Sequence, residues 1–260
     1  GLLRLQNGKE FMQKYHPMGS LAPRDVVARS IDHELKISGE EFVYLDITHK
    51  DPKEVMSHFP NIYKKCLSIG IDLTKDMIPV VPAAHYCCGG IKVNLNGESS
   101  IRRLYALGEA SSTGLHGGNR LASNSMMEAA VYADAAARHA ISVIDSIELQ
   151  RDIPAWDYEG TAVPEEMALI TQDYKEMQQI MTNYVGIVRS DVRLERAKRR
   201  LEIIFKETEE LYLKSTLSQH LCELRNMIAV GYLIIKQAEA RHESVGLHYS
   251  IDYPAKPVEI

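Results

Sequence analysis

Arg120 stands at the end of the run Gly117-Gly118-Asn119-Arg120, just before Ser123, Asn124 and Ser125, three residues suited to cap a helix. A guanidinium presents a planar fork that can hold a carboxylate by two bonds, and a helix N-terminus adds about half a positive charge beside it. Glycines next to such a cation leave the backbone open to a ligand. His85 closes the strand-like run IPVVPAAHY and precedes CCGG, where an imidazole would face a ligand as donor or proton carrier. Glu109 ends the apolar run LYALG beside the glycine-rich loop, a place from which a carboxylate accepts hydrogen bonds from sugar-like hydroxyls. Arg24 opens a helix, where a cation opposes the macrodipole. That local cost points to a task elsewhere, unless Asp25 or Glu34 takes the arginine in an ion pair. The adjacent Cys87 and Cys88 do not easily reach one tetrahedral ion together, so no metal set forms with His85. Two arginines, a histidine and a helix N-terminus make a pocket for a small dianion. No Walker loop, complete G-x-G-x-x-G or Ser/His/Asp order supports a nucleotide triphosphate site or a hydrolase.

The elements that must carry these side chains follow from the hydrophobic pattern. Residues 19–38 read as a loop and then an amphipathic helix with Val26, Val27, Ile31 and Leu35 roughly on one face and Pro23 at its first helical position. FVYLDIT, 42–48, alternates like a strand, and residues 51–70 read as a helix interrupted near Pro60 and closed by Gly70. From residue 78 the texture turns to strands, with Asn96-Gly97 as a turn and LYALG as a further strand. An alanine-rich helix follows at 123–147. Beyond a proline-containing linker come three helical stretches, about 165–184, 190–211 and 216–242, the last with Leu217, Leu221, Leu224, Ile228 and Leu233 at helical spacing. The expected class is α+β with a C-terminal three-helix bundle.

A chain of 260 residues with 45% hydrophobic and 25% charged residues has the balance of a globular core. Its net charge of -5 supplies no basic field, so a nucleic-acid partner is not expected. No apolar run approaches the ~20 residues of a membrane span. The four cysteines lack scaffold spacing, which suits free thiols in a reducing cytoplasm. The chain opens at Gly1 without a methionine and in mid-motif, so it is expected to be a piece of a longer polypeptide.

Three long motifs carry a resemblance: LAPRDVVARSID at 21–32, HYCCGG at 85–90, and LYALGEASSTGLHGGNRLASNS at 104–125. Together they resemble the flavoprotein family of L-aspartate oxidases, succinate dehydrogenases and fumarate reductases. STGLHGGNRLASNS and the later GLHYSIDYP are most similar to the L-aspartate oxidase branch. The resemblance implies hydride transfer from the α-carbon of L-aspartate to FAD, giving iminoaspartate, with oxygen or fumarate as acceptor, on the route to quinolinate and NAD. It also implies roles: Arg24 as catalytic acid/base on a capping domain, His85 and Arg120 on substrate carboxylates, Glu109 on the ribityl hydroxyls, and Ser125 and Met126 facing the flavin. A guanidinium gives up its proton only with difficulty, so a purely electrostatic role for Arg24 stays open.

The same resemblance divides the chain into part of a capping domain (1–82), a C-terminal segment of an FAD-binding α/β domain (83–149), a linker (150–164), and a helical bundle with a C-terminal tail (165–260). L-aspartate, fumarate and the inhibitor succinate are the expected small-molecule partners, and the missing N-terminal half of the same polypeptide is the expected protein partner. The glycine fingerprint of that half is absent, so the isolated chain is expected neither to retain FAD nor to turn over. Val245 stands where the family usually carries arginine. The alternatives are a fumarate reductase or succinate dehydrogenase flavoprotein, or a folded but inert piece.

Overall fold

In the computed structural model, residues 1–121, 123–163 and 167–254 are described, and the chain forms two compact units, Gly1–Ala84 and His85–Ile260. The expected linker end at 164, the first bundle-helix positions 165 and 166, and the tail beyond 254 lie outside the described residues.

In the first unit, β1 (Leu2–Arg4), β2 (Val43–Asp46) and β3 (Ile78–Val80) form an antiparallel sheet in the order β1-β2-β3, with Leu3 opposite Leu45 and Tyr44 opposite Pro79. Helix α1 (Arg24–Ser38) turns Val27, Ile31 and the acid Glu34 inward, and Leu3, Phe11, Met12, Ala22 and Val43 complete that core. Pro23 is the residue before the helix rather than its first position, and Gly39 ends it at φ 74°, a conformation that favours glycine. The interruption expected near Pro60 divides two helices, α2 (Pro52–His58) and α3 (Pro60–Leu67). Asp51 caps the first through its Oδ1, which accepts from the N–H groups of Lys53 and Glu54 at 2.9 and 3.1 Å.

Glu34 is a buried acid beside this core. Tyr15 donates to its Oε1 at 2.5 Å and Lys14 pairs with the same oxygen. Burial alone would raise the carboxyl's pKa, but these two donors outweigh it and hold it below the usual range. The Tyr15 hydroxyl is pushed up in turn, first by burial and then by Glu34. A carboxyl depressed in the folded state stabilises the fold above its unfolded pKa, about 4.3, and loses that contribution as pH falls through the lower folded value. The difference in urea midpoint between wild type and Glu34→Gln should therefore be largest near neutrality and shrink from about pH 5 downward. A gap that stays constant to pH 3 would show that the charge on Glu34 does not contribute.

The second unit begins with very short strands. β4 (Ile91–Lys92) pairs in parallel with β5 (Ser111–Ser112), and the Asn96-Gly97 turn forms as expected, with Asn94 Oδ1 accepting from the N–H groups of Asn96 and Glu98. LYALG is not a strand. Only Tyr105 bridges Glu98, and Gly108–Ala110 forms a 3-10 turn. Helix α4 (Asn124–Ile144) buries only Glu128 and Ala136 along its 21 residues, leaving Met126, Met127, Val131, Ile141 and Ile144 exposed. The bundle consists of α5 (Met167–Ile180), followed by a π-helical turn at Met181–Val185, α6 (Asp191–Lys214) and α7 (Gln219–Glu239). Its core holds Ile170, Met177, Leu194, Leu201, Leu221, Leu224, Ile228 and Ile235. Leu217 and Leu233, expected on the buried face of the last helix, are exposed: Leu217 precedes α7, and the inward row runs Ile228, Gly231, Ile235, Ala238. No helix among the described residues is long and apolar enough to cross a membrane.

Candidate active site

The loop between β5 and α4 carries Arg120, and the side chain is 4% exposed. Its Nε donates to the carbonyl of Cys87 at 2.6 Å, and its Nη1 donates to Glu128 Oε2 at 2.9 Å with a longer approach of 3.5 Å to Ser125 Oγ. Nη2 has no partner among the described residues, so it is the edge of the fork that remains for a ligand. Glu128, one turn into α4 and 1% exposed, also accepts from Thr113 Oγ1 at 2.5 Å and from His116 Nε2 at 2.7 Å. Burial pulls its pKa upward, but the Thr113, His116 and Arg120 donors prevail and keep the carboxyl below its ordinary value. A buried carboxylate with three donors is the centre of this loop.

Cys87 ties a second residue to the first. Its N–H donates to Glu109 Oε1 at 2.7 Å while its carbonyl receives Arg120. Glu109 therefore sits at an exposed 3-10 turn held against the Cys87 peptide, and not at the end of a strand as its sequence context suggested. Gly90 makes the corner possible: at φ 151°, a Cβ there would stand 2.5 Å from the Ala110 carbonyl oxygen and 2.9 Å from the Ser111 carbonyl carbon. His85 is exposed in irregular chain, because the strand expected to carry it stops at Val80; its ring lies 4.5 Å from that of Tyr86. Arg24 belongs to the first unit. It is exposed and donates through Nη2 to the carbonyls of Ser20 and Ala22 at 3.2 and 3.1 Å, while Asp25 pairs with Arg29 and Glu34 with Lys14.

None of the three expected caps holds the start of α4. Ser123, the residue before the helix, is in the left-handed region at φ 72° and its side chain makes no capping bond; Ser125 Oγ faces Arg120 instead. The first-turn N–H groups thus lack a side-chain acceptor among the described residues, and Met126 beside them is 77% exposed. The paired glycines also serve an end other than the expected one. A Cβ on Gly118 would lie 2.9 Å from the Val245 carbonyl, and Leu247 donates its N–H to Gly118 at 2.9 Å, so the C-terminal segment rests on this loop. Sequence reasoning missed Thr113, His116 and Glu128. The available signal was Glu128 itself, an acid within SMMEAAV on a helix otherwise lined with alanine and apolar residues.

An FAD binding domain model matches residues 1–126, and a model described as fumarate reductase flavoprotein C-term matches residues 174–257. The L-aspartate oxidase of Pseudomonas aeruginosa is 47% identical over 253 residues, which are 97% of this chain and 47% of that protein. A chloroplastic L-aspartate oxidase of Nicotiana tabacum is 43% identical over 98% of this chain and 41% of its own length. Among solved structures, a quinol-fumarate reductase with menaquinol molecules superposes with a TM-score of 0.80 at 26% identity, covering the whole of this chain and 51% of that one. The chain thus spans about half the length of the curated relatives it matches. With both models falling in order along it and relatives of this identity across nearly all of its residues, the chain belongs to the flavoprotein family of L-aspartate oxidases and fumarate reductases, on the L-aspartate oxidase side.

Proposed function

We propose that the protein containing this chain oxidises L-aspartate to iminoaspartate with FAD as cofactor and oxygen or fumarate as final acceptor, a cytoplasmic step toward quinolinate and NAD. The observation that carries the reading is Arg120: a buried cation, fixed through Nε and Nη1, with Nη2 left over beside the uncapped start of α4. The chain's own residues suit a flavin. The free N–H groups at the start of a 21-residue helix attract the electron-rich end of an isoalloxazine, Glu109 retains an oxygen for hydroxyl donors, and Met126 offers an apolar surface. Bound FAD would accept the hydride from the substrate's α-carbon.

In this reading Arg120 and His85 bind the substrate carboxylates, which orients the α-carbon. Ser125 and Met126 lie against the cofactor, Glu109 receives its ribityl hydroxyls, and Arg24 serves the proton balance or the charge of the reaction. Residues 1–82 act as part of a capping domain, 83–149 as a segment of the FAD-binding domain, 150–164 as linker and 165–260 as the bundle and tail. The remaining FAD contacts come from a further segment of the same polypeptide, and the exposed apolar side chains of α4 are suited to its cover. The quinol-fumarate reductase likeness favours the same pocket with a dicarboxylate lacking the amine as the second reading.

The test is the affinity of succinate for flavin-loaded full-length protein. Charge-assisted bonds contribute roughly 1.5 to 3 kcal/mol, and ~1.4 kcal/mol is one decade in Kd, so Arg120→Leu should weaken succinate at least tenfold with flavin content unchanged. A monocarboxylate lacking the second anionic group should lose much less. Unchanged succinate affinity would make Arg120 a structural loop cation and give the carboxylate to another residue.

A further inference from the structure

We propose that Glu128 is a positioning residue for dicarboxylate binding: anchored by Thr113 and His116, it holds the Arg120 guanidinium so that Nη2 is turned to the ligand. This rests on the reading of Arg120 as a substrate ligand. Arg120 grows from a glycine-rich loop and has a long side chain, so its native pose must be imposed by its neighbours. Two contacts impose it. The Cys87 carbonyl fixes Nε and the Glu128 carboxylate fixes Nη1, which together set the plane of the group. Glu128 is the firmer of the two because it stands on a continuous helix and is itself held at both oxygens, Oε1 by Thr113 and Oε2 by His116 and Arg120.

Electrostatics and positioning predict opposite signs here. A buried carboxylate 2.9 Å from Nη1 repels an incoming dianion and offsets part of the charge on Arg120. If charge alone governed binding, neutralising Glu128 would tighten the complex. If orientation governs it, the same change frees the guanidinium to rotate and weakens the complex. No bond from Glu128 to any residue other than these three is found among the described residues, so its effect on a ligand is routed through Arg120.

The experiment is calorimetric titration of succinate into flavin-loaded full-length protein carrying Glu128→Gln, Arg120→Leu, or both. Positioning predicts about tenfold weaker succinate for Glu128→Gln alone and no further loss when it is added to Arg120→Leu, because coupled residues are not additive. Glu128→Asp, which keeps the charge but retracts it, should fall between wild type and Glu128→Gln. Unchanged or tighter binding in Glu128→Gln overturns the proposal, as does a full additional loss in the double variant. Should Glu128→Gln fail to bind flavin, Thr113→Val decides: a succinate loss of about threefold that disappears in the Arg120→Leu background supports positioning, and no loss overturns it. An Arg120→Leu variant with wild-type succinate affinity would instead refute the reading of Arg120 as a substrate ligand.

Discussion

Turnover of L-aspartate by the full-length protein should fall at least ~100-fold in Arg24→Leu, the size of effect typical of a lost acid/base, while FAD stays bound. The same substitution should leave the first unit as stable as before or slightly more so. Arg24 is the first residue of α1, where a positive charge opposes the helix dipole by about 0.3 to 1 kcal/mol. It is exposed, its two bonds go to the carbonyls of Ser20 and Ala22, and the acids that might have paired with it are engaged with Arg29, Lys14 and Tyr15. A side chain placed at a local electrostatic cost, without an acid partner among the described residues, separates activity from stability cleanly. Arg24→Lys keeps the charge and loses the fork; recovery of most turnover in that variant would assign the residue an electrostatic part rather than a proton-transfer one. Thermal denaturation and steady-state rates on the same three proteins check the pair of effects. Near-normal turnover in Arg24→Leu would take the residue out of the reaction.

Gly90→Ala should cost about 2 to 6 kcal/mol in the second unit and weaken dicarboxylate binding with it. The φ of 151° lies in a region that is essentially glycine-only and costs about 1 to 3 kcal/mol for another residue, and forcing atoms into a filled site adds a similar amount. The atoms that a methyl group would meet belong to the backbone of Ala110 and Ser111, which cannot rotate aside. Relief therefore requires β4 to part from β5, and the displaced segment includes the Cys87 peptide that holds both Glu109 and Arg120. Urea denaturation and succinate titration should move together. A variant with wild-type midpoint would show that the corner adjusts in some other way. Gly89→Ala is the control, since a Cβ there meets nothing within 4 Å.

How much of this was legible beforehand differed by element. The bundle was readable because apolar residues recur every three or four positions over long stretches, and its two misplacements, Leu217 and Leu233, came from following leucines rather than the row that continues through Gly231. The strands of the middle region were readable in place but not in extent. Leu104 to Gly108 and Ile78 to Tyr86 have the apolar character of strands, yet pairing requires a neighbour in register, which Ile78–Val80 finds in β2, which β4 and β5 find for only two residues each, and which the remaining positions lack apart from the Tyr105 bridge. His85 was expected at the end of a strand that stops at Val80. Arg120 was visible from its glycines, but its anchors were not. Thr113, His116 and Glu128 are spread over 16 residues of loop and helix, and only the fold brings their side chains to one carboxylate. Cys87 acts through its peptide group, which no side-chain pattern reveals.

The rest of the C-terminal segment on Gly118 sets an order of events during synthesis. Leu247, whose N–H completes the contact, leaves the ribosome about 130 residues after Gly118, which at roughly 5 to 20 residues per second is a delay of several seconds to half a minute. Throughout that interval the loop bearing Arg120 has β5 and α4 but lacks its late partner, so it is among the last surfaces of the second unit to be closed. Because Arg189 and Asp191 tie the same segment to the bundle, closure waits for the bundle as well. A nascent chain thus finishes its helices first and secures the loop of Arg120 only as the tail arrives.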